Sequence, residues 1–143
     1  MAEAILSRLL AQKIFAPNTL LVSEPRTKRR EFLAQQYQVQ VTEDNQATVS
    51  ASGILLLAIK PQVFDQAIAN ITPNPSSTII SILAGVTLNK LEQAFPQQPV
   101  IRVMPNTPAT VGVGMTAIAS GTKAQEQHIQ QAKSIFTAVG EVV

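Results

Sequence analysis

Residues 54–59, Ile-Leu-Leu-Leu-Ala-Ile, form an unbroken apolar run of strand length. A short continuous run of this kind marks a strand buried on both faces, and such a strand needs helices above and below its sheet. The chain supplies them. Apolar residues at Ile5, Leu6, Leu9, Leu10 and Ile14 recur at helical period. Further helical patterns are expected over 26–36, 44–50, 61–70, 88–94 and 124–138. Strand patterns are expected over 19–23, 39–41, 78–83, 99–104, 115–119 and 140–143. Alternation of this kind predicts an α/β fold, a doubly wound and mostly parallel sheet covered on both faces. At 143 residues and 45% apolar, one domain with a substantial core is expected.

The first helix opens without a capping Ser, Thr, Asp or Asn, and no strand or glycine turn stands before it. The sheet is therefore expected to be incomplete at its amino-terminal side, leaving the strands around Leu21 and Leu56 without a ladder partner between them.

Composition narrows the chemistry. There is no Cys, one His and no carboxylate cluster, which argues against disulfides, thiol catalysis and zinc or di-metal sites. The net charge of +2 implies no nucleic-acid partner. The basic cluster Arg26, Lys28, Arg29 and Arg30 lacks interleaved aromatics. No apolar run approaches bilayer length and no basic leader is visible, so the expectation is a cytoplasmic protein acting on a small molecule, with no membrane partner. His128 reads as a surface residue, Tyr37 and the Phe residues as core, and Glu92 and Glu141 as carboxylates without partners.

In an open α/β sheet the ligand lies beyond the carboxyl ends of the strands. Those ends carry Ser23-Glu-Pro-Arg26, Ala58-Ile-Lys-Pro61, Ile82-Leu-Ala-Gly85 and Met104-Pro-Asn-Thr107. Small residues at Ala58, Ala84 and Gly85 let a ligand approach backbone. Ser23 stands where a dinucleotide fold reads the adenosine ribose. An acid there favours NAD, whereas Ser followed by Arg26 leaves room for a 2′-phosphate, and Glu24 counts the other way. The basic cluster reads equally well as a solvated helix face. Lys60 is either a snorkelling stem or a contact to cofactor phosphate or ribose. In residues 101–109 two prolines bracket Asn106 and Thr107; they form either a stiff shelf for a ligand or an ordinary turn.

Ala58-Ile-Lys-Pro61, Ala84-Gly-Val-Thr87, Arg102-Val-Met-Pro-Asn-Thr-Pro-Ala109 and Gly114-Met-Thr116 resemble Δ1-pyrroline-5-carboxylate reductase, the enzyme of the last step of proline synthesis. The resemblance covers essentially the whole chain. It implies a Rossmann-type amino-terminal domain binding NADPH or NADH, here truncated over residues 1–143. Cofactor contacts are then implied at Ser23, Pro25, Arg26, Asn45, Ala58, Ile59, Lys60, Pro61 and Ala84. Asn106 and Thr107 fall near the nicotinamide and the substrate, and no proton donor is assigned. Family members begin with a strand and a Gly-x-Gly-x-x-Ala turn and carry a carboxyl-terminal helical domain that dimerises and holds the substrate carboxylate. Neither the glycines nor that domain is present in this sequence, so the fragment is expected to be inactive alone. A related NADP-dependent oxidoreductase with another hydride acceptor and a non-catalytic remnant with a structural or regulatory role are the other readings.

Overall fold

The strands expected from the apolar runs form, but most are shorter than the runs. The computed structural model describes residues 2–51, 53–105 and 114–142. The helices are α1 (Ala2–Ala11), α2 (Thr27–Tyr37), α3 (Asn45–Ala51), α4 (Phe64–Ile68), α5 (Leu88–Ala94) and α6 (Glu126–Phe136). The strands are β1 (Leu21–Ser23), β2 (Gln40–Thr42), β3 (Ile54–Leu57), β4 (Thr78–Ser81), β5 (Val100–Pro105), β6 (Gly114–Ser120) and β7 (Gly140–Val142). Proline explains two of the differences. Pro17 and Pro61 each open a 3-10 turn, so Thr19 is not strand and the helix expected from Pro61 starts only at Phe64.

Where one sheet was expected, the ladders form two. A five-stranded sheet has the order β3-β4-β5-β6-β7, and β1 pairs with β2 by themselves. β3, β4 and β5 are parallel, β6 runs against β5, and β7 runs along β6. Among the described residues β1 bonds only β2 and β3 bonds only β4, in keeping with the expected gap beside Leu21 and Leu56.

The larger sheet is packed on both faces, as the Ile54 run requires. β4 is buried at all four positions, so its side chains feed both cores alternately. Ile80, Ile101 and Val103 meet Ile5 and Leu9 of α1 and Ala132, Ile135 and Phe136 of α6. Ile79, Val100, Leu55 and Leu57 meet Val49 of α3, Phe64 of α4, Leu91 of α5 and Phe95 just beyond its end. Each such side chain contributes about 1.5–3 kcal/mol by leaving water.

Helix starts follow local chemistry. Thr87 Oγ1 accepts from the Lys90 amide at 3.2 Å, and Asp44 Oδ1 accepts from the Gln46 amide at 3.0 Å, both as the cap residues predict. His128 does more than sit at the surface: its Nδ1 accepts from the Gln125 amide at 2.9 Å and closes a capping box on α6.

Three other expectations are corrected. Phe32 is exposed, with the Arg29 guanidinium 5.1 Å above its ring, because the core helix face of α2 is supplied by Leu33. Tyr37 lies at the core's edge and donates from its hydroxyl to Glu3 Oε2 at 2.6 Å. Glu92 has a partner, accepting from the Thr122 hydroxyl at 2.6 Å and from its amide at 3.1 Å. Folding brings the 121–122 turn against α5, which no local pattern announces.

Glu3 is also ion-paired with Arg29, so one carboxylate ties α1 to α2. The Tyr37 hydroxyl and then the Arg29 guanidinium hold the Glu3 carboxyl below its ordinary value of 4.5. The same bond raises the Tyr37 phenol above its ordinary 10.0. A lowered carboxyl stabilises the fold above its unfolded value, and that contribution is lost as pH falls through the folded one. A raised phenol stabilises below its unfolded value, and that contribution is lost as pH rises. The wild-type melting temperature should therefore fall on acidifying below about pH 4.5 and on raising pH beyond about 10. Glu3→Gln should be less stable at neutral pH and flatter at both extremes. Parallel melting curves for the two proteins from pH 3 to 11 would rule this out.

Candidate functional site

Parallel strands deliver their carboxyl ends to one edge of a sheet, and the sequence-nominated residues sit at those ends. Ser23 is the last residue of β1, and its hydroxyl donates to Asn45 Oδ1 at 2.6 Å. Asn45 is the first residue of α3, so 22 residues of separation close into one polar pair. Glu24 continues the strand by donating its amide to the Thr42 carbonyl at 2.9 Å. Pro25 turns the chain, and Arg26 stands at the start of α2 with extended φ and ψ.

The basic cluster divides by what each side chain holds. Arg29 is committed to Glu3. Arg30 Nη1 donates to the carbonyls of Glu24 and Pro25, each at 2.9 Å, and its side chain is only 17% exposed. It clamps the turn beyond β1, a role the sequence reading missed because carbonyl partners leave no pattern. Arg26 points outward, 75% exposed, with only Nε held, by Glu24 Oε1 at 2.8 Å. Among the described residues its terminal Nη1 and Nη2 make no hydrogen bond or ion pair. The solvated-face reading thus fails for Arg29 and Arg30, which leaves Arg26 and the exposed Lys28 as the outward cations of the cluster.

On the neighbouring sheet, Ala58 and Ile59 follow β3 half-buried, while Lys60 and Pro61 are exposed ahead of the 3-10 turn. After β4, the Ser81 hydroxyl accepts from the Leu83 amide at 3.2 Å and shapes the turn leading to Ala84 and Gly85. Both of these are exposed. Gly85 has φ +77°, and no atom lies within 4 Å of where a Cβ would stand. Backbone here is open to a ligand.

Among the described residues no ladder joins the Ser23–Asn45 group to the Lys60 and Ala84 turns, since β1 and β3 belong to different sheets. Asn106 and Thr107 lie outside the described residues. The donor set suits an adenine dinucleotide. It offers a hydroxyl and amide pair for a ribose, an outward guanidinium edge for a phosphate, and small residues where backbone must be approached.

A family model described as NADP oxidoreductase, coenzyme F420-dependent, matches residues 1–85. A pyrroline-5-carboxylate reductase of Synechocystis sp. is 50% identical over 144 residues, covering 100% of this chain and 54% of the relative. The pyrroline-5-carboxylate reductase of Arabidopsis thaliana is 30% identical and covers 100% of this chain and 52% of its own length. Among solved structures, a pyrroline-5-carboxylate reductase of Coxiella burnetii superposes with a TM-score of 0.90 at 26% identity, over 99% of this chain and 54% of the other. A Plasmodium falciparum pyrroline carboxylate reductase solved with NADP bound gives a TM-score of 0.86 at 24% identity, over 99% of this chain and 52% of that one, and so shares the Rossmann-like fold. The chain spans about half the length of the curated relatives it matches.

The Gly85 turn gives a test that needs no ligand. Gly85→Ala meets no steric obstacle, so its only penalty is the left-handed backbone, about 1 kcal/mol. The melting temperature should drop by roughly 3–5 °C. An unchanged or higher melting temperature would show that the turn is not held at positive φ in solution.

Proposed function

Since this chain belongs to the family of NADP oxidoreductases, coenzyme F420-dependent, we propose that it is the greater part of the cofactor domain of a pyrroline-5-carboxylate reductase using NADPH, with NADH as the lesser cofactor. The observation that carries this reading is the 50% identity to a reductase of that name across the whole chain. The hydroxyl, amide and guanidinium at the end of β1 support it.

In the assembled enzyme a bound reduced nicotinamide would supply the hydride for an imine carbon, with a proton going to the imine nitrogen. This chain's own part is binding and orientation. Ser23 and Asn45 hold the adenosine ribose, Arg26 takes a 2′-phosphate, and Pro25 and the Arg30 clamp keep that turn rigid. Ala58 to Pro61 and Ala84 let the dinucleotide lie against backbone, and Lys60 adds a positive charge. The resemblance alone assigns Asn106 and Thr107 to the nicotinamide end. The substrate-holding half, assembly as a homo-oligomer and a cytoplasmic setting belong to the full-length protein in this reading. A second reading, an NADP oxidoreductase with another hydride acceptor, is favoured by the family match over residues 1–85. A panel of imine and deazaflavin acceptors separates the two.

Two experiments test the proposal. Residues 1–143 should show no pyrroline-5-carboxylate-dependent oxidation of NADPH. A form extended at both ends with the matching segments of the Synechocystis relative should show it. Equal turnover in both, or none in the extended form, would defeat the reading. In the extended form, Arg26→Ala should raise KM for NADPH about tenfold or more, the value of a charge-assisted contact of roughly 1.5–3 kcal/mol. KM for NADH should stay nearly constant, and an equal loss for both cofactors would remove Arg26 from the phosphate site.

A further inference from the structure

An acid beside the ribose-reading position ordinarily bonds the 2′-hydroxyl and selects NAD. Glu24 stands there, yet its carboxylate is already engaged. Oε1 accepts from the Arg26 Nε at 2.8 Å and from the Arg26 amide at 3.3 Å. The two side chains are unequal in exposure, 19% for Glu24 against 75% for Arg26, so the carboxylate is tucked in and the guanidinium is carried outward. The backbone of Glu24 is itself fixed, by its amide on the Thr42 carbonyl and by Arg30 on its own carbonyl.

We infer that Glu24 is a positioning residue for a 2′-phosphate: by gripping Arg26 through Nε it presents the Nη1–Nη2 edge as a fixed fork. The inference rests on the cofactor reading above. A guanidinium offers a side edge through Nε and an end edge through its two terminal nitrogens. With Nε taken, the end edge is what remains, and it matches two phosphate oxygens. A free arginine loses rotamer freedom when it binds, while one already held loses less. Glu24 thereby favours the phosphorylated cofactor, although its charge has the same sign as the ligand's. It is also withdrawn from the 2′-hydroxyl of NADH.

The sign of the effect decides the matter. Binding of adenosine 2′,5′-bisphosphate and of 5′-AMP to residues 1–143 is measured by calorimetry, with melting temperatures checked for each variant. The wild type should prefer the bisphosphate, and Arg26→Ala should abolish that preference. Glu24→Ala should weaken the bisphosphate about three- to tenfold, the scale of ordering one long side chain, and leave 5′-AMP unchanged. Glu24→Gln keeps an acceptor for Nε without the charge and should restore binding to within about twofold of wild type. Tighter bisphosphate binding in both Glu24 variants would show a carboxylate acting by repulsion and overturn the inference. So would an unchanged Glu24→Ala, or one that loses both ligands equally. A wild type with no preference, or an Arg26→Ala that keeps the wild-type preference for the bisphosphate, would instead overturn the cofactor reading, and this inference with it.

Discussion

The double burial of β4 is the constraint on which the rest of the molecule depends. Ile79 and Ile80 are adjacent in sequence and face opposite cores, so β4 cannot reach solvent on either side. Its backbone groups must then find partners within the sheet, and β3 and β5 supply them in parallel. Parallel neighbours need crossovers: α4 and α5, which link β3 to β4 and β4 to β5, close one core, and α1 and α6 close the other. The carboxyl ends of β3, β4 and β5 arrive at one edge as a consequence, whatever residues stand there.

The β1–β2 pair is joined to the rest of the fold by a different route. No ladder connects it to the larger sheet among the described residues, and side chains make the join. Glu3 of α1 holds Arg29 and Tyr37 of α2, while α1 itself is rooted under Ile80 and Ile101. On the other face Val49 of α3 enters the second core, and Gln46 exchanges hydrogen bonds with the backbone of Thr72. The two ladders are therefore joined by the burial of Val49 and a few polar contacts where a continuous sheet would use main-chain bonds. Such contacts between partly exposed groups are individually weak and depend on pH.

At the end of β1 the charges are arranged in depth. Arg30 is spent on carbonyls, Glu24 on Arg26, and the free edge of Arg26 is what reaches outward. Four cations in five residues thus reduce to two turned outward, Lys28 and Arg26, and of these Arg26 is the one held by a neighbouring carboxylate. Counting charge along the sequence overstates how much of it is available to a ligand, because folding assigns most of it to structure.

The α/β class, the alternation of elements and several helix starts were legible in the sequence because they are local. A six-residue apolar run, Thr87 before Leu88 and Asp44 before Asn45 act within a turn or a strand. The candidate residues at strand ends were legible too, since a strand's direction fixes which end faces the ligand edge. What only the tertiary structure decided are the partners. Glu92 finds Thr122, Tyr37 finds Glu3, Ser23 finds Asn45, and the strands divide into two ladders. Each of the three side-chain pairs joins residues more than twenty positions apart, and a one-dimensional pattern carries no information about which distant groups packing will bring within 3 Å.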